Sequence, residues 1–158
     1  MNQRNLAEQF DGIRACTDPK YLDENLDAAA KFANGNLQID NINFIQALHI
    51  KGALGEAIDL DLLTEALNRG ETVQREVIFY LARVQIPQMD QRIISLLNEA
   101  LEGNELDTGK IYWLIYALIE TETQEAKFYL KGLIKHERLQ DNPILELALD
   151  EAGWQVQK

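Results

Sequence analysis

Apolar positions recur at helical spacing along almost the whole chain, and no sustained strand-like alternation breaks the pattern. Leu6, Phe10 and Ile13 stand at i, i+4 and i+7 and predict a first helix with Cys16 at its end. Asp18-Pro19 reads as a cap with Pro at the first helical position. The second helix then carries Leu22, Leu26, Ala29 and Ala30 and stops near Asn34-Gly35. Ile42, Ile45, Leu48 and Gly52 mark a third, capped by Asp40. A fourth starts at Asp59 or Asp61, carries Leu62, Leu63, Ala66 and Leu67, and ends at Gly70. Thr72 opens a fifth with Val73, Val77, Leu81 and Val84, stopped by Pro87. The sixth carries Ile93, Leu96, Leu97 and Leu101 up to Gly103, and Asp107 opens a seventh with Ile111, Leu114, Ile115 and Leu118. Thr121-x-x-Gln124 has the form of a capping box for an eighth helix. Asn142-Pro143 opens a ninth, ending at Gly153. The expected fold is all-α with about nine helices, in a single domain over residues 1–158.

The helices repeat. Leu62-Leu63-Thr64-Glu65-Ala66-Leu67 returns as Leu96-Leu97-Asn98-Glu99-Ala100-Leu101, an offset of 34 residues. Glu76-Val77-Ile78-Phe79-Tyr80-Leu81 returns at the same offset as Lys110-Ile111-Tyr112-Trp113-Leu114-Ile115. A shift of 33 lays Pro143-Ile144-Leu145-Glu146-Leu147-Ala148 on that second pattern. Each period holds two helices and two short turns, as stacked antiparallel α-hairpins require. A central helix of such a stack is apolar on several faces, and residues 111–119 leave little polar surface. A compact helical bundle is the alternative architecture, with the same short loops. On this pattern the chain resembles the HEAT-repeat and related α-solenoid families, which implies a two-layer stack of helix pairs. It has neither the tetratricopeptide pattern nor the ankyrin Thr-Pro-Leu-His motif, and its period is shorter than a typical HEAT unit.

Candidate chemistry is sparse. His49 and His136 lack a His or Cys partner at i+3 or i+4, so no zinc site is legible. His136 reads as a cation favoured at the end of the eighth helix. Ser95, the one serine, lies in mid-helix between Ile94 and Leu96, without the Gly-flanked turn of a nucleophile elbow. Asp59-Leu60-Asp61 starts like a calcium loop but lacks its glycine and reads as helix capping. No Gly-rich phosphate loop occurs. Acid pairs such as Glu120 and Glu122 are numerous, and none is singled out for acid–base work. The expectation is a non-enzymatic chain without cofactor or metal. A single Cys excludes an intramolecular disulfide framework, and Cys16 reads as a packed apolar residue. The opening MNQRNLAEQF lacks the apolar run of a secretory signal, and no stretch approaches the ~20 apolar residues of a membrane span, which points to the cytoplasm.

Charge narrows the choice of partner. The net charge is −11, which argues against nucleic acid and against an anionic membrane surface. The acidity is concentrated: residues 1–50 hold 4 basic and 7 acidic side chains, residues 51–125 hold 6 and 14, and residues 126–158 hold 5 of each. Many acids fall at helix starts and turns, where any one of them serves as a cap or dipole partner. Stacking would align equivalent turns into an acidic ridge able to steer a basic partner. Phe79 and Trp113 are repeat-equivalent and lie off the apolar stripes of their helices. Either they pack between repeats or they form a paired exposed anchor of the kind that dominates interfaces. The candidate partner-binding set is therefore Glu71, Phe79, Glu105, Asp107, Trp113, Glu120 and Glu122.

The segments Glu76–Leu81 and Tyr112–Glu120 are similar to the apolar helices of helical bacterial immunity proteins from polymorphic-toxin and contact-dependent growth-inhibition systems. That resemblance implies a non-catalytic inhibitor of a basic, nuclease-type toxin domain. The alternative is a HEAT-like adaptor that presents a groove to a peptide or subunit of a larger assembly.

Overall fold

A computed structural model describes residues 9–157. Among these it contains ten α-helices, one 3-10 turn and no strand, so the chain is all-α. The helices are α1 (Gly12–Thr17), α2 (Pro19–Glu24), α3 (Leu26–Gly35), α4 (Phe44–Ala53), α5 (Leu60–Leu67), α6 (Glu71–Leu81), α7 (Met89–Glu102), α8 (Thr108–Thr121), α9 (Gln124–Ile134) and α10 (Pro143–Val156). The predicted helical turn around Leu6 lies outside the described residues. By contact the chain divides into two compact units, residues 1–56 and 57–158.

In the first unit the helices are short and the core small. Ala15, Leu22, Ala29, Ala33, Ala47 and Ile50 form it, with Phe10, Tyr21 and Phe32 packed against them. The second helix of the sequence reading is two helices. Asn25 leaves helical geometry (φ −133°, ψ 38°), and its amide donates back to the Tyr21 carbonyl at 2.8 Å, a side-chain competition with the helical ladder that asparagine favours. Asp40 does not cap α4. Asn43 is the N-cap there, and Ile42 stands outside the helix, 94% exposed. Gly55 takes φ +69°, where a side chain would be strained, so Glu56 N can close back on the Lys51 carbonyl at the end of α4. Cys16 is half-buried, its thiol donating to the Gln46 carbonyl at 3.7 Å.

The second unit contains three α-hairpins: α5–α6, α7–α8 and α9–α10. In one layer α5 packs on α7 and α7 on α9. In the other, α6 packs on α8 and α8 on α10. Helix α8 touches α6, α7, α9 and α10. This placement accounts for its composition, since Ile111, Leu114, Ile115, Ala117, Leu118 and Ile119 are all buried. The ladder of hairpins is the arrangement that the 34-residue repeat implies.

The register of α10 corrects the sequence alignment. Along α6, α8 and α10 the buried stripe recurs at an offset of 34, while α9 follows α7 at 33, with Ile93 and Ala126, and Leu97 and Leu130, buried in pairs. Val77, Ile111 and Leu145 are buried, as are Tyr80, Leu114 and Ala148. An offset of 33 would pair buried Ile111 with Ile144, which is 56% exposed. The helix boundaries also shift locally. Asp59, not Asp61, caps α5, and Gly70 is the N-cap of α6 rather than the end of α5. Helix α6 stops at Leu81, well short of Pro87. The capping box at Thr121 does not form: Thr121 is inside α8, its hydroxyl donating to the Leu118 carbonyl at 2.7 Å. Thr123 caps α9 instead, accepting from Ala126 N at 3.1 Å and donating to the buried Asp90 carboxylate at 2.6 Å. His136 lies past α9 and caps the 3-10 turn Glu137–Leu139 through Nδ1. Helix α10 runs through Gly153 to Val156. A glycine in mid-helix costs about 1 kcal/mol, and the helix runs on through it to the half-buried Gln155 and Val156.

Candidate protein-binding face

Helices α6, α8 and α10 each turn one side away from the layer formed by α5, α7 and α9. On that outer side the offset of 34 places Phe79, Trp113 and Leu147 at equivalent positions. Phe79 is 51% exposed, Trp113 is half-buried and Leu147 is 65% exposed. On α10, Ile144, Leu147, Glu151 and Trp154 follow at i, i+3, i+7 and i+10, a single stripe of the helix surface. Trp154 is 70% exposed. On α8, Tyr112, Trp113 and Tyr116 form one aromatic group, with ring centroids 4.9 Å (Tyr112–Trp113), 5.0 Å (Tyr112–Tyr116) and 6.3 Å (Trp113–Tyr116) apart. Of the five large exposed apolar side chains in this unit, four lie on this outer face; Phe128 on α9 is the fifth. A face this apolar on a stack whose core is already filled is a candidate contact surface.

Acids sit inside this apolar surface. Burial raises the Glu120 carboxyl above the usual carboxylate range, and Glu122 and Glu151 push it further the same way. All three causes disfavour its charge. Tyr116 is pushed up to about 12 by burial first, then by its hydrogen bond and proximity to Tyr112, then by Glu151. Glu151, on α10, therefore acts on both Tyr116 and Glu120 of α8. Its Oε1 also accepts from the Gln155 amide at 3.1 Å.

The predicted site residues do not form one ridge. Glu71 opens α6, Glu105 lies in the turn before α8, and Asp107 caps α8, accepting from Lys110 N at 3.1 Å. These three occupy the turns within hairpins. Glu120 and Glu122 lie at the other end of α8, a 14-residue helix about 21 Å long. Cations interleave the first group. Lys110 Nζ bonds Asn68 Oδ1, and the Arg138 guanidinium donates to the carbonyls of Leu101, Gly103 and Asn104. Elsewhere Asp61 is paired with Arg92 at 2.8 Å and Glu65 with Arg69 at 3.1 Å. Phe79 is exposed on α6, and Trp113 and Glu120 are half-buried two turns apart on α8. Glu122 follows as the C-cap of α8, with φ 54°.

Ile144, Leu147, Glu151 and Trp154 are absent from the sequence-derived set. Carrying the 34-residue offset into α10 would have placed Leu147 beside Trp113. A separate concavity of about 690 Å³, between α7 and α9, is lined by Ile94, Phe128 and Tyr129 but also by Lys127 and Lys131.

Comparison with protein-family models, curated proteins and solved structures finds no match for this chain. Among the described residues no helix is long and apolar enough to cross a membrane.

Proposed function

We propose that the chain is a non-catalytic protein-binding module that acts in the cytoplasm as an immunity protein, neutralising a basic, nuclease-type toxin domain. The observation that carries this reading is the apolar row of exposed Phe79, Leu147 and Trp154 and half-buried Trp113, with the half-buried Glu120 and Glu151 carboxylates among them. Aromatic anchors fill partner pockets and dominate binding energy, while charge selects the partner and speeds encounter. A carboxylate disfavoured by burial and by neighbouring acids, as Glu120 is, gains from a cation that neutralises it. An enzyme that binds nucleic acid presents such cations. The acids Glu71, Glu105, Asp107 and Glu122 act as the surrounding field that steers approach.

The test is affinity capture from the native cell on the immobilised chain, with washes at low and then high salt and identification by mass spectrometry. One basic protein retained in near-equal amount, whose nuclease activity the chain abolishes, is the expected result. Several partners of mixed charge, lost at moderate salt, would replace this reading with the adaptor that stacked hairpins also suit.

A further inference from the structure

We infer that the seam where α8 packs on α10 is the line along which an arginine-bearing segment of the basic partner docks. This inference deepens the reading above and rests on it. Two observations meet along this seam. On α8 the half-buried Tyr112, Tyr116 and Glu120 follow at i, i+4 and i+8, with the two tyrosine ring centroids 5.0 Å apart. On α10 Ile144 and Leu147 are exposed and Glu151 is half-buried. The two sides are in electrostatic reach, since Glu151 raises both Tyr116 and Glu120. The side chains thus combine π faces, aliphatic surface and two mutually repelling carboxylates.

Guanidinium is the group that satisfies all three at once. Its plane stacks on aromatic rings, its stem covers aliphatic surface, and its five donors reach carboxylates in pairs. An ammonium offers a compact, strongly hydrated charge and would leave the rings uncovered. An acidic or neutral apolar segment would bury Glu120 and Glu151 without a counter-charge, which is the costly arrangement. The complementary occupant is a segment with arginine beside apolar side chains. Trp113 on α8 and Trp154 on α10 are the only tryptophans in the chain, so binding has an intrinsic reporter.

The experiment titrates the full chain, at 0.15 M salt, with a synthetic amphipathic peptide of arginine and leucine. Tryptophan fluorescence is the readout, and glutamate-for-arginine and lysine-for-arginine peptides are the controls. Four versions of the chain are compared: the natural one, Glu120→Gln/Glu151→Gln, Glu71→Gln/Glu105→Gln and Leu147→Ala. Both glutamine pairs remove two negative charges, so general attraction changes equally in each. Both pairs keep the side-chain shape, and thermal melts check the fold. Expected are a saturable fluorescence change, a Kd raised at least tenfold in Glu120→Gln/Glu151→Gln and in Leu147→Ala, and a Kd within about twofold of natural in Glu71→Gln/Glu105→Gln. The lysine peptide should bind more weakly than the arginine peptide, and the glutamate peptide not at all. Absence of a saturable change, equal losses in the two glutamine pairs, or equal binding of the arginine and lysine peptides would overturn the inference. The wider reading fails separately, when capture on the natural chain retains no basic protein.

Discussion

Leu114 and Leu147 provide the sharpest internal test of the fold. At an offset of 33 they are the same repeat position, and truncating either should cost the same. In the structure Leu114 is fully buried in the helix that touches four others, and Leu147 is 65% exposed on the outer face. Leu114→Ala removes three carbons from water-free surroundings, about 2.4 kcal/mol at roughly 0.8 kcal/mol per carbon. The residual cavity adds roughly 1–2 kcal/mol, because four packed helices relax only partly around it, so a total of about 3–5 kcal/mol is expected. Leu147→Ala forfeits about a third of the transfer contribution, leaves no cavity, and gains slightly in helix propensity, for a net cost below about 1 kcal/mol. Urea unfolding followed by tryptophan fluorescence reads residues 57–158 directly, because both tryptophans lie there. At roughly 4–8 °C per kcal/mol for a unit of this size, Leu114→Ala should lower Tm by at least about 12 °C and Leu147→Ala by only a few degrees. Equal losses, or the larger loss at Leu147, would refute the 34-residue register and with it the outer face.

Four further outcomes follow from single contacts. Thr123→Ala removes the cap of α9 and leaves the buried Asp90 carboxylate without its hydroxyl donor, a loss of about 2–3 kcal/mol in chemical denaturation, and Thr123→Ser should restore most of it. Gly12→Ala gains up to about 1 kcal/mol of helix propensity, but the new Cβ would stand 2.7 Å from the Phe32 ring and against the Gln46 amide, and overpacking of about 1–3 kcal/mol wins, so Tm should fall. Glu122→Gly relieves a left-handed residue (φ 54°) by roughly 1 kcal/mol and withdraws a charge from Glu120, so the unfolding midpoint should rise. Glu120 has its pKa raised in the fold, so its contribution to stability is full below the unfolded carboxylate pKa and is lost as pH climbs through the folded one. Glu120→Gln should therefore raise Tm at pH 7, with the gain vanishing as pH is lowered through the carboxylate range; a gain independent of pH would contradict this.

Much of the architecture is written locally. The apolar period of Leu62–Leu67 and Leu96–Leu101 already specifies amphipathic helices, and Asp59, Asp107 and Asn142-Pro143 mark helix starts through side chains that satisfy the first free backbone amides. Near-continuous apolarity in residues 111–119 foretells a helix with neighbours on several sides. Such signals act within one or two turns of chain, so a sequence is enough to read them.

Other features depend on which helix lies beside which. Asn25 divides a helix whose apolar pattern runs on unbroken, and Thr123 replaces Thr121 as a cap because the Asp90 carboxylate waits there, 33 residues away. The ridge of acids was an inference from equal spacing, and turns alternate between two ends of a hairpin. Glu71 and Glu105 therefore lie at one end of their helices while Glu120 lies at the other. Whether Phe79, Trp113 and Leu147 were core or surface could not be settled by helical period, since each helix of a two-layer stack buries more than one side. Burial is a property of neighbours. The sequence by itself determined an acidic, all-α, repetitive chain; the tertiary structure decided which of its apolar residues remain at the surface and which acids stand among them.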